Sequence, residues 1–376
     1  METLDRYIKE LLDRSTPAAP AWNLEKIKSG EPRWNYVDGC MIRAILELYH
    51  ITKREEYLKF ADEFIDYFVQ EDGSILSYDP TEFNIDNVNA GKTLFDLYKL
   101  TGKEKYKKAI ETVYSQVAHQ PRTLEGNFWH KLIYPFQVWL DGLYMGQPFY
   151  LQYETAFNDC KNCMDSYNQF VNVYKILRDK ETGLYFHAYD ETRMMYWSDD
   201  VTGLSKYFWL RALGWYSMAL VDSIEIFPDS LAKEKEHLKQ IYKELIDAML
   251  KYQDESGMWY QIVDMAGVEP NYLEASGSAI FAYSIMKSVR MGLLDESYFA
   301  YGEKAFYGTC DKYLSEKDGQ LQLEGICLVA GLGGKTRRDG SFEYYMSEPI
   351  VKNDAKGTAP LFLAYTEILY KNAGKK

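Results

Sequence analysis

Six segments of the chain would be apolar on almost every face if helical, and each contains glycine or another small residue near its start. They span residues 37–46, 87–98, 140–151, 211–221, 275–286 and 356–369. Helices without a polar face are buried, so these segments predict inner helices. The segments between them, such as 234–252, carry apolar side chains along one stripe, which is typical of outer helices. The chain is therefore predicted to alternate between inner and outer helices.

Part of this alternation is visible as a sequence repeat. The segment 48–61, LYHITKREEYLKFA, returns as 97–110, LYKLTGKEKYKKAI, so that Thr52 and Tyr57 correspond to Thr101 and Tyr106. Each copy has the pattern of one helix end, a short turn and the start of an amphipathic helix. Self-similarity at a period of about 50 residues indicates a helical repeat architecture.

A second recurring element is an acidic or polar residue followed by glycine and then by extended, mostly apolar residues. It occurs around Gly73, Gly126, Gly183, Gly257 and Gly319. Glycine adopts positive φ without a steric penalty, so this pattern predicts a tight turn leading into a short strand. Such hairpin turns are expected between outer helices and the inner helices that follow them.

Six inner and six outer helices in alternation predict an all-α fold, an (α/α)6 barrel with short β-hairpin turns at one end. The N-terminal helix, expected at residues 3–14, would be the outer partner that closes the ring against the last helix. We expect residues 1–376 to form a single barrel domain. The barrel places six helix N-termini around one opening, which favours an anionic ligand there. The alternative is an open helical solenoid that binds another protein.

Composition narrows the classes of partner. Hydrophobic residues make up 47% of the chain and aromatic residues 16%, so a large core is expected and disorder is not. The net charge of −13 disfavours nucleic acid and anionic membranes as partners. The N-terminus lacks the pattern of a secretory signal, and no segment has the apolar length of a membrane span. These features predict a cytoplasmic protein that is a monomer or a weak homo-oligomer.

The five cysteines are an odd number spread thinly along the chain, which predicts reduced thiols. Cys160 and Cys163 have the spacing of a metal or redox pair, but no second such pair and no His pair accompanies them in the sequence. A metal or redox role is therefore disfavoured, and neither a metal nor a cofactor is expected.

The most informative stretch is 134–145, YPFQVWLDGLYM, because Asp141 lies between a strongly apolar run and Gly142. A carboxylate in such surroundings is either paired or kept partly protonated. A carboxylic acid that holds its proton near neutral pH suits general acid chemistry. The alternative is a helix N-cap, for which Asp before Gly is also typical. Asp86, in the segment FNIDNVNAG, is the second candidate carboxylate.

When the repeats are superposed, the helix openings and hairpins bring further candidates to the same end of the barrel. Aromatic rings stack on sugars, and basic side chains bind carboxylates. Taken singly, His130 and His187 are also compatible with hairpin structure, Trp209 with the core, and Asp38 and Asp354 with helix caps. The predicted substrate-binding residues are Trp34, Tyr36, His130, Lys131, His187, Trp209, Arg211 and Trp215, and the polar residues Glu274 and Ser276 are expected at the same end.

Several of these motifs together resemble glycoside hydrolase family 105, the unsaturated rhamnogalacturonyl hydrolases. They are GNFWHK, YPFQVWLDGLYM, FHAYDE, FWLRALGWY, WYQIVD and LEASGS. The resemblance covers about residues 34–357, and the related family 88, the unsaturated glucuronyl hydrolases, shares the fold and mechanism. It implies an (α/α)6 barrel and a small acidic oligosaccharide substrate that a polysaccharide lyase has left with a Δ4,5-unsaturated uronic acid at its non-reducing end.

The resemblance also implies roles for individual residues. Asp141 matches the general acid and base that hydrates the enol ether double bond, and Asp86 matches the second acidic residue of the pocket. His130, His187, Trp209 and Arg211 match residues that line the pocket.

Three alternatives stay open on the sequence. The aglycone is rhamnose, as in rhamnogalacturonan fragments, or another sugar, as in fragments of ulvan or a glycosaminoglycan. A sugar epimerase on the same barrel would use His130 and His187 as its acid and base. A carbohydrate-binding or scaffold protein would bind oligosaccharides without turnover.

Overall fold

The computed structural model describes residues 2–374, which contain fourteen α-helices. Twelve of these are long and two, α2 and α13, are single short turns of helix. The helices are α1 Glu2–Asp13, α2 Leu24–Ser29, α3 Tyr36–Thr52, α4 Glu55–Asp66, α5 Lys92–Thr101, α6 Glu104–His119, α7 Leu140–Phe157, α8 Cys163–Leu177, α9 Leu210–Ile226, α10 Ala232–Leu250, α11 Ala275–Arg290, α12 Phe299–Tyr313, α13 Phe342–Ser347 and α14 Ala355–Asn372.

The six predicted inner helices form a closed ring. Helices α3, α5, α7, α9, α11 and α14 pack against one another in that order, and α14 returns to α3. The outer helices that follow an inner helix are α4, α6, α8, α10 and α12. Each packs against the inner helix that precedes it, as α4 does on α3 and α10 on α9. The all-α (α/α)6 barrel is therefore confirmed, and the open solenoid is wrong.

The N-terminal helix takes the outer position beside α14. The ring of Tyr7 meets the ring of Phe362 edge-on at 5.6 Å, and the hydroxyl of Tyr365 donates to Asp5 at 3.3 Å. Leu4, Ile8 and Leu11 are buried on the same face of α1. The first and last long helices thus meet, as the sequence predicts.

Close approach of the inner helices depends on small residues at their contacts. A Cβ atom at Gly214 of α9 would lie 2.9 Å from the side chain of Ile280 on α11, and one at Gly39 of α3 would lie 2.6 Å from the backbone of Ala90. These glycines therefore allow helix backbones to lie nearer than side chains would permit. The buried charge of Lys287 is paired with Asp222 at 2.8 Å.

The connections differ sharply in length between the two ends of the barrel. Inner helices lead to outer helices through short links, such as 53–54 and 102–103, whereas outer helices lead to the next inner helix through long ones. The long connections lie at the N-terminal ends of the inner helices. They cover residues 14–35, which include α2, and residues 67–91, 120–139, 178–209, 251–274 and 314–354.

The predicted glycine turns lie in these long connections. All five glycines have positive φ, from 73° at Gly319 to 97° at Gly126. The strands beside them are shorter than the pattern predicts. Around Gly73, Gly126 and Gly183 they reduce to single bridges, whereas the turn at Gly319 joins a hairpin of β3 Leu314–Lys317 and β4 Gln320–Leu323.

The remaining strand pairs link distant parts of the chain. Strand β1, Gln137–Trp139, pairs antiparallel with β2, Ala188–Asp190, so two long connections are joined directly before α7. Strand β5, Ile326–Cys327, pairs with β6, Ile350–Val351, and closes the longest connection on itself.

Two local features differ from the sequence-based expectation. The inner helix predicted from residue 87 begins as a 3₁₀ segment, Ile85–Gly91, because Asn84 caps the backbone N–H of Asp86 and the segment is rich in poor α-helix formers. Cys160 and Cys163 form a disulfide, so the prediction that all five thiols are reduced is wrong. Positive φ at Asp159 and Cys160 brings the two cysteine Cα atoms to 5.1 Å.

Among residues 2–374, no helix is both long and apolar enough to cross a bilayer.

Candidate active site

A narrow cavity of about 80 Å³ opens at the end of the barrel where the long connections gather. Its wall combines two carboxylates, three cations and five large aromatic rings. It is lined by Tyr36, Asp86, His130, Lys131, Tyr134, Trp139, Asp141, Met145, Trp209, Arg211, Trp215, Val329, Ala330, Gly331 and Arg338.

Asp141 lies in the first turn of α7, directly after the β1–β2 pair that positions Trp139 and Leu140. Its side chain is 15% exposed. The next residue is Gly142, and a Cβ atom there would lie 3.0 Å from Nδ1 of His130. Glycine therefore lets the imidazole of His130 approach α7 beside the carboxylate.

Oxygen Oδ2 of Asp141 is buried and has no hydrogen-bond partner among residues 2–374. The group that faces it, at 3.4 Å, is Nε2 of the fully buried His187. The other nitrogen of His187, Nδ1, lies 2.8 Å from the hydroxyl of Tyr345 on α13. If Tyr345 donates to Nδ1, the imidazole carries its proton on Nε2 and points it at the carboxyl of Asp141.

Unlike Asp141, Asp86 has a carboxylate that is held by a cationic and a polar side chain. Its Oδ2 lies 2.6 Å from Nζ of Lys131, and its Oδ1 lies 3.5 Å from Nε2 of His130. Burial alone would raise the pKa of Asp86, but the charge of Lys131, followed by that of His130, lowers it below the ordinary value. Asp86 is therefore a fixed anion, whereas Asp141 has no cation bound to it.

His130 is neutral at physiological pH. Burial lowers its pKa to about 4, against the raising effect of Asp86. At neutral pH, the charge that lowers the pKa of Asp86 is therefore that of Lys131, because His130 is uncharged. The ring of His130 stacks on Trp139, with centroids 4.5 Å apart and planes inclined by 8°.

The depressed pKa of His130 predicts a pH-dependent stability. Between pH 6.5 and about 4 the unfolded chain binds a proton at this site and the folded chain does not, so the free energy of unfolding falls as pH is lowered through that window. We expect His130→Gln to remove a fall of about 3 kcal/mol. Denaturant titrations at both ends of the window measure it.

His119 supplies the matched control, because it is exposed on α6 and away from the cavity. The variant His119→Gln should retain the pH dependence of the wild type. A His130→Gln protein whose unfolding free energy falls as much as that of the wild type would contradict a buried neutral imidazole.

Aromatic rings form the apolar walls around the two carboxylates. Trp209 lies against His187 with ring centroids 4.7 Å apart, and Trp215 stacks on Tyr144 at 4.9 Å. Trp139 is stacked on one face by Tyr134 at 5.2 Å. Such rigid rings present flat apolar faces of the kind that pack against a sugar ring.

The comparisons with known proteins agree with this site. Residues 7–371 match the sequence profile of Glycosyl Hydrolase Family 88. A solved structure of a glycoside hydrolase from family 105, from C. acetobutylicum ATCC 824, is 43% identical, with 99% of each chain covered and a TM-score of 0.90. The chain belongs to the family 88 and family 105 glycosyl hydrolases.

One more distant relative is similar in sequence and another in fold. The unsaturated rhamnogalacturonyl hydrolase YesR of Bacillus subtilis (strain 168) is 27% identical over 77% of this chain and 78% of that protein. The unsaturated glucuronyl hydrolase of Bacillus sp. GL1 is 14% identical, with 90% of this chain and 86% of that chain covered and a TM-score of 0.64. The chain is thus a glycoside hydrolase of the unsaturated uronyl hydrolase type, which decides against the epimerase and the scaffold.

Most of the residues predicted for this hydrolase meet at the cavity. Asp86, Asp141 and six of the eight predicted binding residues line it, while His187 lies behind Asp141 and reaches the cavity through that carboxyl. Trp34 lies outside this wall: its indole N–H donates to the carbonyl of Asn87 at 2.9 Å, and its ring lines an adjacent cavity. Its contact with substrate stays a prediction.

The other polar residues expected at this end have structural partners. Glu274 caps α11 and also accepts from the backbone N–H of Cys327 at 3.0 Å. Asp38 is buried against Lys26 at 2.5 Å, and Asp354 caps α14 and pairs with Lys356 at 2.8 Å. Asp354 is therefore a helix cap, as predicted. The prediction of a cap is wrong for Asp38, because Asn35 caps α3 and Asp38 lies in the first turn as a buried anion paired with Lys26.

Arg211 lines the cavity and also has a structural role. Its guanidinium donates to the hydroxyl of Ser276 and to the carbonyls of Cys327 and Leu328, and it stacks on Trp209. It therefore anchors the segment 329–331 that lines the cavity. Arg338 also lines the cavity and donates to the hydroxyl of Tyr134 at 3.1 Å.

Several lining residues escaped the sequence-based list. Trp139 lies within the segment 134–145, but no polar group distinguishes it from a core residue in the sequence. Tyr134, Arg338 and the segment 329–331 line the cavity, and Tyr345 supports it from behind His187. All of them belong to long connections whose course depends on pairings between distant residues. The glycine-rich segment around Arg338 indicates a loop, but not which end of the barrel the loop covers.

Proposed function

We propose that the protein removes the Δ4,5-unsaturated uronic acid from the non-reducing end of lyase-generated oligosaccharides, with unsaturated galacturonyl-rhamnose from rhamnogalacturonan as the substrate. The observation that carries this is the pair of carboxylates in one narrow aromatic cavity, one held as an anion by Lys131 and the other without a cationic partner. The likeness to the B. subtilis rhamnogalacturonyl hydrolase supports rhamnose as the aglycone.

In the proposed reaction, Asp141 acts first as an acid. It gives its proton to C4 of the unsaturated ring, the C4–C5 double bond is consumed, and positive charge develops at C5 and the ring oxygen. Water, deprotonated by the same Asp141, then forms a bond to C5. The resulting hemiketal opens, and the aglycone leaves with its bridging oxygen.

The surroundings of the two carboxyl groups suit this division of roles. Protonation of carbon is slow, so the acid must be held in fixed geometry against the substrate. The buried Oδ2 of Asp141 faces His187 rather than a fixed cation. The permanent charge of Asp86 can hold a substrate hydroxyl or the water, and it favours the cation that develops nearby.

The cations of the wall are candidates for the uronate carboxylate. Lys131, Arg211 and Arg338 all line the cavity. Lys131 is already paired with Asp86. Arg211 donates to two backbone carbonyls and Arg338 to one, that of Gly333, so Arg338 is the more available of the two guanidinium groups. A planar guanidinium binds a carboxylate through two parallel hydrogen bonds.

The remaining expectations belong to the same proposal. Residues 1–376 would act as one catalytic domain, as a monomer or a weak homo-oligomer in the cytoplasm. The partner would be a small acidic oligosaccharide rather than nucleic acid or a membrane.

The test uses unsaturated disaccharides that lyases release from rhamnogalacturonan, from ulvan and from a glycosaminoglycan. Hydration destroys the conjugated double bond, so its ultraviolet absorbance should disappear, and fastest with the rhamnogalacturonan disaccharide. Faster loss with either other disaccharide would overturn the rhamnose assignment and keep the reaction. Absorbance that persists with all three would overturn the function.

A further inference from the structure

A second and much larger cavity begins where the candidate active site ends. Its volume is about 670 Å³, against about 80 Å³ for the catalytic cavity. Tyr36, Asp86 and Lys131 line both, so these three side chains form the wall between them. Ligand-binding cavities of proteins commonly measure about 300–1,000 Å³. The second cavity has this size, and the catalytic one holds less than a whole oligosaccharide.

The second cavity is lined mainly by groups that bind sugar hydroxyls. It is formed by Asn23, Glu25, Lys26, Ser29, Glu31, Arg33, Trp34, Asn35, Tyr36, Ser77, Glu82, Asn84, Asp86, Asn87 and Lys131. Trp34 is a fixed part of this wall, since its backbone N–H donates to Ser77 and its indole N–H to Asn87. Amides and carboxylates beside aromatic rings are the usual partners of a carbohydrate chain.

The cations of this wall differ in whether a carboxylate of the protein already pairs with them. Lys26 lies 2.5 Å from Asp38, and Lys131 lies 2.6 Å from Asp86. The guanidinium of Arg33, in contrast, makes no ion pair and no hydrogen bond within residues 2–374, although Glu25, Glu31 and Glu82 line the same cavity. Arg33 is therefore the cation of this wall that is available to an incoming anion.

The acidic residues of the wall restrict which chain fits. Glu25, Glu31 and Glu82 accept hydrogen bonds from sugar hydroxyls but repel carboxylates. One free guanidinium among three carboxylates suits a chain in which an acidic sugar is flanked by neutral ones. A chain with a carboxylate on every sugar would meet repulsion along most of the cavity.

We propose that this second cavity binds the sugars on the reducing-end side of the cleaved linkage, with Arg33 pairing the carboxylate of the next uronic acid in the chain. The inference rests on the proposed function and makes its substrate class more specific. The preferred substrates are oligosaccharides longer than a disaccharide in which acidic and neutral sugars alternate.

The test compares an unsaturated disaccharide with the unsaturated tetrasaccharide of the same polymer, using the full chain. We expect the wild type to have the higher kcat/KM on the tetrasaccharide. Arg33 is exposed, so Arg33→Gln should lower that value about two- to fivefold, the range for a charge pair at an exposed site. Its kcat/KM on the disaccharide should stay unchanged.

Two controls isolate the charge pair. Arg54→Gln changes an exposed arginine beyond the far end of α3, where it pairs with Glu56, and it should alter neither substrate. A tetrasaccharide whose internal carboxylate is methyl-esterified should lose the advantage in the wild type and be insensitive to Arg33→Gln. Equal kcat/KM on both chain lengths in the wild type, or equal losses on both in the variant, would overturn the inference.

Failure of the proposed function would look different. In that case neither substrate would lose its ultraviolet absorbance, and calorimetric titration with the tetrasaccharide would then test the cavity directly. Weaker binding by Arg33→Gln than by wild type would still support the cavity as a carbohydrate site. Equal binding by the two proteins would overturn it.

Discussion

Asp141→Asn is expected to lower kcat by roughly 10² to 10⁴, the range that a general acid contributes. The amide keeps the shape of the carboxyl but cannot deliver a proton to carbon. Substrate affinity and the thermal unfolding midpoint should stay close to wild type, because Oδ2 of Asp141 makes no hydrogen bond within the described chain that the substitution would break. Steady-state kinetics and thermal unfolding measure both expectations.

A matched variant and an isotope experiment make this prediction specific. Asp165→Asn changes a carboxylate that pairs with Arg122 on the barrel surface, and its kcat should stay near wild type. In heavy water the product should carry deuterium at C4, and in labelled water the solvent oxygen should appear at C5. Solvent oxygen at C1 without deuterium at C4 would indicate direct hydrolysis by two carboxylates and would refute hydration.

The second large effect is expected at Asp86. Asp86→Asn leaves the ammonium of Lys131 without its anion, and the side chain of Lys131 is only 21% exposed. We expect kcat/KM to fall by at least about 10², as for loss of a fixed group that stabilises charge in the transition state. The free energy of unfolding should fall by about 2 kcal/mol, on the low side for a broken buried pair because Lys131 retains some contact with solvent.

A double variant separates these two losses. In Asp86→Asn combined with Lys131→Met, no uncompensated charge remains, so denaturant titration should show most of the stability restored. The activity should stay low, because the anion beside the substrate is still missing. Recovery of activity in the double variant would mean that Asp86 serves only to neutralise Lys131.

The barrel was predictable because each of its helices carries its own pattern. Uniformly apolar segments mark the ring, and α1 could be placed because no inner helix precedes it. The site was predictable where a local motif carries it, as with Asp141 before Gly142 or His130 before Lys131. In these cases the relevant geometry is set within a few residues of the functional side chain.

The site residues that the sequence did not predict are positioned by contacts between residues far apart in the chain. Tyr345 reaches His187 across more than 150 residues, and the segment 329–331 is held over the cavity by Arg211. No periodicity in 314–354 predicts either contact. Trp34 shows the converse limit: its type suggested sugar stacking, but hydrogen bonds to Ser77 and Asn87 place it in the wall of the neighbouring cavity.

The connections are short at one end of the barrel and long at the other, so the long ones can change in sequence and length while the ring of helices is kept. Insertions or exchanges in a surface loop have a small entropic effect on stability, and it grows slowly with loop length. The ring of helices buries most of the apolar side chains, whereas the long-connection residues that line the catalytic cavity lie mostly in 120–139 and 314–354. Chimeras that exchange these two segments with a homologue should therefore inherit the donor's preference for the terminal sugar while keeping the recipient's unfolding temperature.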